Sequence, residues 1–265
     1  MPVTRRIRKD VAYLPAAASP RHTGDLHLPA GAWRGKVLVI HGGGWQQYAK
    51  ERMAGVAQRL VDHGYAAFAV NYPLITDRPW PACGEACLAA GRFLRDLVPE
   101  GCGCAAAAPL FTLGASAGGH LALMTGLRLD GVAGIVSVAG VTDVAGYASQ
   151  PGFAGQRRWF VKAFLGTEAP TAAQWRATSP LNHVQAGHPP IFLSHDRNDR
   201  VVPIEQAEAM VAASRRVDGE VELYRYDGPG HLMWADPEQD APHLLPAIEE
   251  RLLAFLERWA APCPL

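Results

Sequence analysis

The stretch Leu113-Gly114-Ala115-Ser116-Ala117-Gly118-Gly119 sets a serine inside the pattern Gly-x-Ser-x-Gly, between an apolar segment and a helical one. Upstream, Pro109-Leu110-Phe111-Thr112-Leu113 is rich in strand formers, and downstream Gly119-His120-Leu121-Ala122-Leu123-Met124 continues in helix formers. A serine on a sharp turn from strand to helix is displayed as a nucleophile, so Ser116 is the candidate. The turn strains the serine backbone and crowds the positions two before and two after it, a demand that Gly114 and Gly118 meet. The following helix points its positive end at the same place, which favours negative charge there. A bland glycine-rich turn is the competing reading, and the flanking strand and helix weigh against it.

Around this segment, short apolar runs alternate with longer helical patterns, the signature of βαβ units. Strands are expected over 36–40, 66–70, 109–113, 132–138, 191–194 and 221–226, and helices over 51–62, 83–97, 117–127, 204–217 and 244–259. The fold class is α/β: a mostly parallel central sheet with helices on both faces, since the strands are hydrophobic without strict alternation. Residues 141–184 break the alternation. They exceed the usual connection length and carry Phe153, Trp159, Phe160, Phe164 and Trp175. They read as a small cap insertion over the site, or as a surface helix packed by its aromatics, within a single domain of 1–265.

The 265 residues are 49% hydrophobic with a formal net charge of zero, enough for one buried core and without a broad basic surface. Nucleic acid and membrane are therefore not expected partners. Arg5, Arg6, Arg8 and Lys9 form the only basic cluster and read as a solvated N-terminal arm. The apolar stretch after them is cut by Pro15, which leaves no secretory core and points to a cytoplasmic protein. No apolar run reaches the ~18 residues of a membrane span. The five cysteines, Cys83, Cys87, Cys102, Cys104 and Cys263, are an odd number and read as reduced thiols. Their spacing matches no common zinc motif, so no metal is expected.

His41-Gly42-Gly43-Gly44-Trp45 follows the first strongly apolar strand. Three glycines let backbone N–H groups converge on one point, as an oxyanion demands, and the candidate donors are Gly43, Gly44 and Ala117. A phosphate cradle is the alternative, but no Lys-Ser/Thr follows as a P-loop requires. Near the other end, Asp227-Gly228-Pro229-Gly230-His231 comes just after the last strand, and His231 is the candidate general base. His120 is its nearest rival and reads as a packed or hydrogen-bonded histidine. In Ser194-His195-Asp196-Arg197-Asn198-Asp199 two carboxylates follow one strand. Asp199 lies farther along the loop and suits the acid that orients the histidine. Asp196, read as a turn or capping carboxylate, and Asp143 are the alternatives.

With these residues in hand, the chain resembles the α/β-hydrolase esterases of the hormone-sensitive-lipase-like and bacterial feruloyl- and acetyl-esterase type. The resemblance spans almost the whole chain. It is carried by His41-Gly42-Gly43-Gly44-Trp45, by Asn71-Tyr72-Pro73-Leu74 followed by Pro79-Trp80-Pro81, by the segment around Ser116, by Asp199 with Val202-Pro203, and by Gly230-His231. It implies an α/β-hydrolase fold and a serine hydrolase that cleaves small to medium carboxylic esters through an acyl-enzyme, with no cofactor. Arylformamidases share a similar His-Gly-Gly-x-Trp loop and add hydrolysis of N-formyl aromatic amides as an alternative. Relatives usually carry Tyr-Arg-Leu in place of Tyr72-Pro73-Leu74, His-Gly in place of His195-Asp196, and an acidic residue at the place of Ala86.

Ester hydrolysis, formamide hydrolysis and acyl transfer to a non-water acceptor share one triad, so Ser116, Asp199 and His231 do not choose among them. A ligand-binding role without catalysis fits less well, because all three members are present. Trp45, Tyr72, Trp80, Trp234 and Phe160 are the candidate substrate-binding residues. Bulky rings and a short insertion favour a small-molecule ester or amide with a small or medium acyl group. The composition leaves a homodimer open.

Overall fold

The computed structural model describes residues 6–14, 19–98 and 108–260. Eight strands form one sheet in the order β1-β2-β4-β3-β5-β6-β7-β8. Their ranges are β1 Arg6–Ala12, β2 Thr23–Leu28, β3 Gly35–Ile40, β4 Tyr65–Val70, β5 Leu110–Ala115, β6 Val132–Val138, β7 Ile191–Asp196 and β8 Val221–Tyr226. Strands β3 to β8 run parallel to one another, and β2 joins β4 antiparallel with β1 antiparallel outside it.

The central strands are unbroken apolar runs because both faces are covered. Side chains alternate across the pleat. In β3, Val37 and Val39 face one core with Leu60 and Phe255, while Leu38 and Ile40 face the other with Leu94 and Leu121. The first of those cores is closed by α1 (Ala54–Asp62) and α8 (Pro246–Trp259), the second by α2 (Ala82–Asp96) and α3 (Ala117–Arg128). The helix expected over 51–62 opens with a 3₁₀ turn at Lys50–Met53.

Between β6 and β7 lie α4 (Val144–Ala148), α5 (Arg157–Leu165) and α6 (Ala172–Thr178). Helix α5 buries Phe160 and Phe164 and ends at Gly166, which takes the left-handed conformation (φ 71°) that a helix C-terminus favours. A capping box between Thr171 and Gln174 opens α6. Trp159 stays exposed, Trp175 packs against the core, and the Phe153 side chain lies outside the described residues. Helix α7 (Glu205–Arg215) covers β7 and β8.

The expected N-terminal arm is corrected: residues 6–12 are the edge strand β1, and β2 is a strand the sequence pattern did not flag. Their anchor is Lys50, whose buried ammonium lies 2.6 Å from Asp25 and 3.0 Å from Asp10. Burial opposes the charge on Lys50, but hydrogen bonds to Asp25, Asp10 and Glu51 outweigh it and hold the pKa above its ordinary value. Cys83 and Cys87 are buried free thiols, and burial pushes Cys83 up to about 12. Cys102, Cys104, Cys263 and Arg5 lie outside the described residues. Among the described residues, no helix is long and apolar enough to cross a membrane.

Candidate active site

Ser116 joins β5 to α3 with φ 56° and ψ −124°, a conformation sparsely populated by non-glycine residues. The turn is held from both sides, because the Ser116 N–H donates to the Val138 carbonyl at 2.8 Å and the Ser116 carbonyl accepts from His120 N–H at 3.1 Å. The two glycines are close-approach positions. A Cβ on Gly114 would run into the Gly118 carbonyl, and one on Gly118 would run into the carbonyls of Ile40 and His41.

The loop after β8 brings His231 back over the sheet through Gly230, at φ 97°. Its Nε2 lies 2.9 Å from Ser116 Oγ and its Nδ1 lies 2.6 Å from Asp199 Oδ2. With the proton on Nδ1, the ring donates to the carboxylate and accepts from the serine hydroxyl. The other oxygen of Asp199 accepts from the N–H groups of Val201 and Val202, both at 2.9 Å, which fixes the carboxylate and leaves Oδ2 to the imidazole. The Asp199 carboxylate is fully buried. The alternative acids lie elsewhere: Asp196 binds backbone N–H groups, and Asp143 precedes α4 without a side-chain capping bond.

The loop after β3 carries three consecutive left-handed residues, Gly43 (φ 99°), Gly44 (φ 57°) and Trp45 (φ 59°). Gly43 turns its carbonyl to the N–H groups of Gln46 and Gln47. Among the described residues, none accepts a hydrogen bond from the N–H of Gly43, Gly44 or Ala117. The loop's outer side is gripped by Arg21. Its Nε donates to the Tyr72 carbonyl at 2.7 Å, and its Nη2 donates to the Tyr48 carbonyl at 2.8 Å and faces His41 Nε2 at 3.4 Å. His41 is wholly buried and donates from Nδ1 to the Gly42 carbonyl, and burial lowers its pKa to about 3. Arg21 carried no local motif. The strand that follows it, β2, was not legible in the sequence either.

Three of the expected substrate contacts, Trp45, Tyr72 and Phe160, have buried rings. Trp45 keeps 2% of its surface, Tyr72 none and Phe160 2%. The Trp45 indole packs against Phe164 (centroids 5.1 Å), Phe160 (5.7 Å) and His120 (5.2 Å). Tyr72 stacks on His41 and donates its hydroxyl to the His41 carbonyl at 2.9 Å. Trp80 is half-buried and, with Pro81, Glu85 and Arg128, lines a cavity of about 400 Å³. Trp234 is half-buried on the opposite sheet face, under the Arg52 guanidinium. His120 is a buried link: Nδ1 accepts from Trp45, Nε2–H donates to the Thr178 carbonyl at 2.7 Å, and burial lowers its pKa to about 4.

A parallel sheet with a strained serine at the end of β5 and its partners on the loops after β7 and β8 is the α/β-hydrolase fold. The BD-FAE family profile matches residues 25–213, which include Ser116, the glycine loop and Asp199, and the chain belongs to that family. A truncated carbohydrate esterase from gut microbiota superposes with a TM-score of 0.77 at 19% identity, covering 96% of both chains. Inhibited esterase B from Lactobacillus rhamnosis gives a TM-score of 0.79 at 18% identity, covering 96% of this chain and 87% of that one. The probable carboxylic ester hydrolase LipM of Mycobacterium tuberculosis is 41% identical over 46 residues, a match that spans 17% of this chain and 11% of LipM.

Proposed function

We propose that this protein hydrolyses carboxylic esters with small or medium acyl groups, using Ser116, His231 and Asp199 as catalytic residues. The observation that carries the reading is the unbroken hydrogen-bonded line from Ser116 Oγ through the His231 ring to the Asp199 carboxylate. Ser116 Oγ attacks the acyl carbon as His231 Nε2 takes its proton, and Asp199 holds the Nδ1–H and stabilises the imidazolium. The former carbonyl oxygen collects the negative charge between the N–H groups of Gly43, Gly44 and Ala117, each such donor contributing about 2.7–4 kcal/mol to the transition state. His231 returns the proton to the leaving alcohol, and water repeats the cycle on the acyl-enzyme.

The size limit is supported by the rings of Trp45, Tyr147, Phe160 and Phe164, which pack into one closed cluster against His120 of α3. Residues 141–184 act as the cap that carries three of those rings, Tyr147, Phe160 and Phe164. The esterase names of the structural neighbours agree with this chemistry.

The test is hydrolysis of p-nitrophenyl acetate, butyrate and laurate and of N-formylkynurenine by the native protein and by Ser116→Ala. The expected result is serine-dependent turnover that falls from acetate or butyrate to laurate. Equal turnover by Ser116→Ala overturns the nucleophile, a preference for laurate overturns the size limit, and a preference for N-formylkynurenine moves the substrate to formamides.

A further inference from the structure

Asp196 closes β7 three residues before Asp199 and is completely buried. Its carboxylate accepts three backbone hydrogen bonds: at Oδ1 from Asn198 (2.9 Å) and Gly228 (3.1 Å), and at Oδ2 from Gly230 (2.8 Å). The first donor belongs to the loop that carries Asp199, and the other two belong to the loop that carries His231. One side chain therefore spans the gap between the two loops, and its last bond falls on the residue immediately before the histidine.

The fit is reciprocal. A Cβ on Gly228 would lie 2.6 Å from Asp196 Oδ2, so the carboxylate itself restricts position 228 to glycine. The loops share two weaker ties, from the Asn198 amide to the Gly228 carbonyl at 3.2 Å and from Arg197 to Asp227 at 2.9 Å. Both are exposed, and the ion pair is screened by solvent. The buried, charge-assisted bonds of Asp196 are the stronger constraint.

We infer that Asp196 is a positioning residue that sets the register of His231 against Ser116 and Asp199 by pinning the backbone at Gly228 and Gly230. It touches no reacting atom. Its catalytic consequence rests on the serine-hydrolase reading above, whereas the clamp itself does not. Loss of the clamp lets the imidazole drift, and a displacement on the order of 1 Å lowers turnover by as much as about 100-fold.

The test compares Asp196→Asn, Asp196→Gly and Asp196→Ser with the native protein, using far-UV circular dichroism to select folded variants. Three readouts follow: kcat and KM on p-nitrophenyl acetate, the downfield proton resonance of His231 Nδ1–H, and amide exchange at Gly230. The expected result is a kcat lower by about 10- to 100-fold with KM held within about twofold. The Nδ1–H resonance should broaden or move, and the Gly230 amide, protected in the native protein, should exchange faster. Folded variants with native kcat and an unmoved resonance overturn the inference. If none of the variants folds, a native Gly230 amide exchanging at the rate of an open loop overturns it, and a protected one supports it. Ser116→Ala in parallel reports separately on the hydrolase reading, since the resonance and the exchange do not depend on turnover.

Discussion

The indole N–H of Trp45 donates to Nδ1 of His120 across 3.1 Å, which couples the glycine loop after β3 to the helix that follows Ser116. Because the other ring nitrogen of His120 binds the Thr178 carbonyl, the same imidazole also ties in the end of α6. Three segments from distant parts of the chain are locked by one neutral ring.

Trp45→Phe removes the donor and leaves a buried ring nitrogen unsatisfied. The expected loss of stability is about 1–3 kcal/mol, beyond which any change reflects repacking of the aromatic cluster. Urea unfolding followed by fluorescence, with an unchanged slope, is the measurement.

Acid should weaken the fold well before its carboxylates titrate. His41 and His120 stay neutral in the folded protein down to about 3 and about 4, against an ordinary value of 6.5, because burial penalises the imidazolium. Below that ordinary value the unfolded chain takes up protons that the folded one does not, so stability falls as pH falls. Each ring adds a slope of about 1.4 kcal/mol per pH unit through that window. Urea midpoints at pH 7, 6 and 5 check this, and equal midpoints across the three contradict it.

Arg21→Lys should lower kcat by about tenfold or more while leaving KM little changed, the outcome expected of the proposed role of the glycine loop as donor to the transition state. A point-charge ammonium does not reproduce a planar fork that binds Tyr72, Tyr48 and His41 at once. Steady-state kinetics on p-nitrophenyl acetate measures both constants.

Gly118→Ala drives a methyl group into the carbonyls of Ile40 and His41, which belong to the central strand and the glycine loop. Backbone at a sheet centre yields little, so the expected destabilisation is about 3 kcal/mol, with loss of turnover even in molecules that remain folded. Thermal unfolding and labelling of Ser116 by a fluorophosphonate report the two effects.

The central parallel strands were legible because burial on both faces leaves an apolar run, as in β3, β4 and β5. Strands β1 and β2 were not. The first is exposed and charged, and the second buries Asp25 and His27, a polar pattern stabilised only once Lys50 arrives from another segment. In the site, Ser116, Asp199 and His231 could be picked out because sharp turns demand glycine and chain order limits the partners. The burial of Trp45 was hidden, since nothing in the local pattern marked its left-handed backbone, and the ring joins the core. Arg21 was invisible for a different reason: two of its three partners are backbone carbonyls, which leave no mark on residue type.

Ser116 and His231 are 115 positions apart in the chain, and His231 follows β8, the outermost strand, which pairs with β7 alone. During synthesis the turn at Ser116, the glycine loop and Asp199 all leave the ribosome before His231 does. Closing so long a loop is deferred until nearer contacts have formed. A nascent chain that ends before β8 therefore holds Ser116 without its imidazole partner, and the Ser116–His231 hydrogen bond belongs to the last stage of assembly.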